Sequence, residues 1–135
     1  MFGRFLGPRT ESAYALLRIV AGLLFSFHGL QGLTGLLLPP EYIAHFPTQA
    51  WFGSVIELAG GLLIAAGFCT RCAAFVCSGT MAVAYVQFHW KFDFGTRFFP
   101  AANQGEMSLL YAFLFLYMAC KGGGAASLDA WRKRP

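Results

Sequence analysis

The chain has 135 residues, of which 57% are hydrophobic and only 12% charged, and it contains fifteen phenylalanines. A soluble domain carries roughly a quarter of its residues as Asp, Glu, Lys or Arg, so this composition excludes a water-soluble enzyme and indicates a membrane protein. The net charge of +4 comes from ten Lys and Arg placed mostly at the chain ends and in one turn; this pattern sets orientation in a bilayer and does not form a nucleic-acid surface.

The first apolar segment covers residues 12–37 and stops at Pro39-Pro40, because proline lacks the amide proton that a helix interior needs. Its basic-then-apolar start has the outline of a secretory signal. The run is longer than a signal's apolar region, however, and no small-residue cleavage pattern follows, so it is read as a retained helix. A second segment spans residues 51–68, and a third, 72–90, follows after a tight turn. The fourth, 104–120, ends at Gly122-Gly123-Gly124. Helices of about 20 residues joined by short loops use the whole length. The expectation is an all-α, membrane-embedded four-helix bundle formed as a single domain over residues 1–135.

Four spans put both termini on one side. Arg4, Arg9, Arg71, Lys121, Arg132, Lys133 and Arg134 fall on that side, with Arg18 just inside the first helix, whereas Lys91 and Arg97 fall on the other. The excess of positive charge on cytoplasmic segments predicts cytoplasmic termini and a cytoplasmic 69–72 turn. The loops at 39–49 and 92–103 then face outward. Their aromatics (Tyr42, Phe46 and Trp51; Phe92, Phe94, Phe98 and Phe99) suit the membrane interface and are expected to form a lid. Small residues recur at helix-packing spacing in Gly22–Ser26, Gly61–Ala65 and Ser78–Ala82, which predicts close backbone approach.

Ionisable residues within such segments are costly and face the bundle interior. At about 1.5 Å rise per residue, His28, Glu57, His89 and Glu106 reach one layer in the outer part of the bundle. Asn103 stands beside it. Glu57, Gly60, Gly61 and Ile64 share one face of the second helix, and Ser78, Met81, Tyr85 and His89 one face of the third. A His–Glu cluster exchanges protons near neutral pH; the alternative is a structural network of interhelical hydrogen bonds. His28 and His89 at matching depth invite comparison with a haem axial pair, but neither lies in a distinctive motif, and no metal is assigned.

Arg18 and Arg71 belong to the opposite half. Arg71 is expected to snorkel to the headgroups, and Arg18 to hold an acidic headgroup or the 69–72 turn. Cys69-Thr70-Arg71-Cys72 has a C-x-x-C spacing beside an arginine, which is either a redox pair or chance spacing in a short turn. Cys77 and Cys120 are read as buried small residues.

Taken together, Arg18-x3-Gly22, His28-Gly29, Glu57-x2-Gly60-Gly61, Gly67-x2-Thr70-Arg71-x-Ala73-Ala74, His89, Asn103-x-Gly105-Glu106 and Ser127-Leu128-Asp129 resemble, in order and spacing, the DoxX family of small four-helix bacterial membrane proteins. The resemblance covers nearly the whole chain. It implies an inner-membrane protein associated with redox systems, since relatives are linked to thiosulfate oxidation with quinone as acceptor and to complexes that protect against oxidative stress. The implied role is a quinone-linked subunit in which His28, Glu57 and His89 meet the ligand, Asn103 and Glu106 pass protons, and a redox protein partner donates electrons. A non-catalytic assembly subunit and a small-molecule carrier, the latter requiring a homo-oligomer, are the alternatives. Two departures stand out: Gly32 occupies the place of a lysine common in the family, and the cysteines flanking Thr70-Arg71 are not part of its pattern.

Overall fold

The computed structural model describes residues 7–133, so Arg4 and Arg134, two of the orienting cations, lie outside the described residues. Helix α1 is Thr10–Thr34, preceded by a 3-10 turn at Gly7–Arg9. It ends three residues before the expected stop because Gly35 turns left-handed (φ 71°) and its N–H bonds to Gln31 O at 2.8 Å, a conformation that costs glycine nothing sterically. Helix α2 is Gln49–Ala66, started by the Thr48 hydroxyl, which accepts from Trp51 N, and ended by Gly67 at φ 70°. Helix α3, Thr70–Ala84, continues into a π-helix at Tyr85–Trp90, closed by Lys91 N donating to Val86 O at 2.8 Å.

Two short helices were not anticipated: α4, Pro100–Asn103, and α6, Leu128–Trp131. Between them lies α5, Glu106–Lys121. Among the described residues there is no strand, and the architecture is an all-helical bundle. Gly7–Thr34, Gln49–Ala66 and Thr70–Trp90 are long and apolar enough to cross a membrane. Helix α5, with 16 residues, rises about 24 Å, less than the ~30 Å of hydrocarbon in a bilayer, so the expected fourth span is the shortest member of the bundle.

Two tight helix pairs make up the bundle. In the first, Gly22 and Gly61 bring the α1 and α2 backbones nearly into contact: a Cβ on Gly22 would stand 2.6 Å from Gly61 O and from Ala65 N, and one on Gly61 2.6 Å from Gly22 O. The Gly22–Ser26 and Gly61–Ala65 spacings thus face each other, as small-residue membrane packing requires. In the second pair, Ser78 donates to Ala112 O at 2.7 Å and so fastens α3 to α5. Ala82 is exposed, and the buried face of α3 runs through Ala74, Cys77, Ser78 and Met81 instead of Ser78–Ala82. Phe25 closes the pairs together, its ring 4.8 Å from Phe115 and 5.4 Å from Tyr111.

Large apolar residues such as Leu24, Phe75 and Phe113 are exposed on the outer faces, as suits a surface whose solvent is lipid. Glu11 and Lys121, paired at 2.7 Å, put the start of α1 beside the end of α5. The start of α1 and the end of α5 therefore share one end of the bundle.

Candidate functional site

At the other end, His28 of α1 meets Glu57 of α2, with Nδ1 2.9 Å from Oε2. The antiparallel pairing of α1 and α2 sets this contact, and Gly29 makes it possible, since any side chain there would collide with the Leu58 amide. Glu57 is 8% exposed, whereas the His28 side chain is 74% exposed. A carboxylate taken out of water without a partner costs several kcal/mol, and His28 is that partner. An imidazole N–H and a carboxylate in contact form a charge-assisted hydrogen bond.

Both residues line a cavity of about 940 Å³, which opens where the α1–α2 pair diverges from the α3–α5 pair. Its walls are mainly apolar, with Phe25, Ile56, Met81 and Tyr111 among them, and His89, Gln49, Ser54, Gln104 and Ser108 add to the polar part. His89 is delivered by the π-helix. Its Nδ1 lies 3.2 Å from Asn103 O and its Nε2 3.2 Å from the Ser108 hydroxyl. A carbonyl only accepts, so Nδ1 carries the proton, and a neutral ring then accepts from Ser108 at Nε2.

The expected layer therefore divides. The structure brings His28, Glu57 and His89 to one cavity, but Asn103 and Glu106 are not in its wall. The Asn103 side chain is engaged with the loop backbone, donating to Arg97 O at 2.7 Å and accepting from Gly105 N at 2.7 Å. Glu106 is exposed as the first residue of α5, where its charge favours the positive end of the helix dipole. Ser108 was missed from the sequence; a hydroxyl in an otherwise apolar helix was the available signal. Gly32 lines the cavity, and a side chain there would press on the Ser54 hydroxyl.

The aromatic loops do not form one lid. Phe46, Trp51 and Phe52 cluster on one side, and Trp90, Phe92, Phe94, Phe98 and Phe99 on another. Tyr42 and Phe52 reach the cavity wall, whereas Phe92, Phe94, Phe98 and Phe99 do not. Among the described residues, no three His, Cys, Asp or Glu side chains converge as metal ligands.

The arginines at the opposite end close helices. Arg18, 1% exposed, donates through Nη1 to Ile64 O at 2.6 Å and Ala65 O at 2.7 Å, and through Nη2 to Ala126 O. It thereby satisfies carbonyls that the end of α2 leaves open, in place of the expected headgroup or 69–72 turn. Arg71, expected to snorkel to the headgroups, is exposed and donates to Ala119 O at 3.1 Å and to Cys120 O at the end of α5.

Asp129, whose role the sequence left open, caps α3 from a distance. It accepts from Cys69 N at 2.8 Å, Thr70 N at 2.9 Å and the Thr70 hydroxyl at 2.7 Å. Burial raises its carboxyl pKa, but the bonds from Thr70 and Cys69 outweigh this and hold it below its usual value. All four cysteines are free thiols; Cys77 is buried as expected, but Cys120 is exposed.

The match to known proteins follows the same layout. The family model of DoxX matches residues 13–90, from α1 to the end of the π-helix. The chain is similar to an uncharacterised protein of Haemophilus influenzae, 38% identical over 125 residues and covering 85% of this chain and 87% of that protein. No solved structure matches. The family match takes in Arg18, His28, Glu57, Arg71 and His89 together, and the chain belongs to the DoxX family.

Proposed function

We propose that this protein is a quinone-linked, redox-associated subunit of the bacterial inner membrane, crossing it several times with its termini and the 69–72 turn in the cytoplasm. The cation asymmetry supports that orientation. The observation that carries the functional reading is the His28–Glu57 pair in the wall of a largely apolar cavity of about 940 Å³. Cofactor pockets of about 300–1,000 Å³ have this make-up, mostly apolar with a few convergent polar groups. The donor set fits: His28 can donate to a quinone carbonyl oxygen, Glu57 can hold or release the accompanying proton, and Phe25 and Tyr111 add aromatic wall to the cavity.

Quinone supplies the two-electron, two-proton chemistry when bound. Electrons reach it from a redox protein partner, and protons pass through the His28–Glu57 couple. The test is titration of the purified protein, in a mild detergent, with a short-chain quinone, alongside extraction of any co-purifying quinone. Binding near one equivalent is expected. Protein that retains none and binds none overturns the reading.

A second reading, that of a non-catalytic assembly subunit, is favoured by His89, since both its ring nitrogens are engaged within the chain. In that case Glu57→Gln and His89→Gln lower stability and complex yield together, and no intact, inactive complex is recovered.

A further inference from the structure

The Cys69–Cys72 pair stands at the far end of the bundle from the His28–Glu57 cavity and has no part in that site. Cys69 is the residue before α3 and Cys72 lies in its first turn. Both are exposed free thiols. The C-x-x-C spacing places both thiols at the start of one helix, the arrangement in which a dithiol closes within a single turn. Cys69 has φ 48° and ψ 37°, a left-handed conformation uncommon for a non-glycine residue. Asp129 bonds its amide and that of Thr70, which holds the start of the turn in place.

Both cysteines open into one pocket of about 360 Å³. Arg71, Lys121 and Lys133 line it against a single lining carboxylate, Asp129, while Glu11 pairs with Lys121 from outside the lining. The cations attract an anionic reactant to the pocket, and the cysteine thiolate is the form that attacks sulfur.

We infer that Cys69 and Cys72 form a redox-active dithiol that exchanges with small anionic disulfides entering the pocket lined by Arg71, Lys121 and Lys133. One cysteine thiolate attacks a sulfur of the incoming disulfide, breaks its S–S bond and expels one half as a thiolate. The second cysteine thiolate attacks the protein-bound sulfur, closes the Cys69–Cys72 bond and expels the other half. Two protein thiols are oxidised and one disulfide is reduced, and the two expelled thiolates take up the two protons that the cysteines release. The pocket volume admits a peptide-sized disulfide, and its cations select one bearing carboxylates.

The test uses the full chain in detergent micelles, equilibrated with reduced and oxidised glutathione, quenched by alkylation and mapped by mass spectrometry. Cys69 and Cys72 are expected to lose alkylation together at a single midpoint, joined to each other, while the lone exposed Cys120 forms at most a glutathione adduct. Cys69→Ser and Cys72→Ser should each trap glutathione on the remaining cysteine. Lys133→Glu should slow oxidation by glutathione disulfide about tenfold more than it slows oxidation by a neutral disulfide. Independent modification of the two cysteines at the rate of Cys120, with no bond between them, overturns the dithiol. Equal rates with anionic, neutral and cationic disulfides overturn the assigned substrate class.

Discussion

His28 and Glu57, 29 positions apart in the chain, meet at 2.9 Å between Nδ1 and Oε2, with the carboxylate buried and the imidazole open to the cavity. This asymmetry gives each residue its own part. Glu57 is fixed by its surroundings, and His28 is free to address a ligand while remaining in contact with its proton partner.

Replacing Glu57 by glutamine keeps the volume and a hydrogen bond to His28 but removes the carboxylate charge. Quinone affinity is expected to fall about tenfold, near 1.4 kcal/mol, as for one charge-assisted hydrogen bond. His28→Ala should lose at least as much and also lower the unfolding midpoint, because it leaves the buried Glu57 carboxylate without its partner. Fluorescence titration of both variants with a short-chain quinone measures the first effect, and thermal unfolding in the same detergent measures the second.

Arg18→Lys keeps the charge but loses the planar fork that reaches Ile64 O, Ala65 O and Ala126 O together. An ammonium on a flexible stem cannot span all three. A loss of about 3 kcal/mol is expected, on the scale of one or two charge-assisted hydrogen bonds. Denaturant unfolding in micelles checks it. A change under about 0.5 kcal/mol, the usual size for a surface substitution, would show that the three carbonyls do not depend on the guanidinium.

Gly22→Leu should break the α1–α2 pair, since the clash falls on backbone atoms of Gly61 and Ala65, which cannot rotate away. The expected cost exceeds about 3 kcal/mol, the upper range for overpacking, and would be seen as loss of a monodisperse species on size exclusion. Gly53→Ala in α2, where a Cβ meets nothing within 4 Å, is the control. It should be neutral or stabilising by about 0.5 kcal/mol.

Asp129 makes stability depend on pH. Its folded pKa lies below the reference value of 3.8, so its contribution is fully present above the unfolded value and is lost as pH falls through the folded one. Stability should therefore decline below about pH 4 more steeply in the native protein than in Asp129→Asn, whose single amide oxygen keeps only one side of the cap, Cys69 N or Thr70 N, and does not titrate. Asp129→Ala should cost about 1 kcal/mol at neutral pH, as for loss of a helix cap. Unfolding midpoints measured across the acidic range for the three proteins decide this.

Composition and periodicity alone determined the helical membrane class, the approximate helix positions and the Gly22 and Gly61 packing faces. These are local properties: apolar length, small residues at fixed spacing, and glycine or proline at the stops. The same rise-per-residue arithmetic put His28, Glu57, His89 and Glu106 at one depth, because depth along a straight helix depends only on count, but it could not tell that Glu106 stands outside the cavity wall.

Tertiary structure decided which residues at that depth touch. Helix rotation and the π-helical turn at Tyr85–Trp90 direct His89 to Ser108 and Asn103, and neither can be counted from sequence. Arg18 and Arg71 carried the sequence signal of membrane-surface cations. Only the fold shows that both reach the helix-end carbonyls of α2 and α5, because packing brings those carbonyls within donor distance. Asp129 reaches the start of α3 across 59 positions of chain, a relation that exists only once the residues after α5 have folded back over the 67–70 turn.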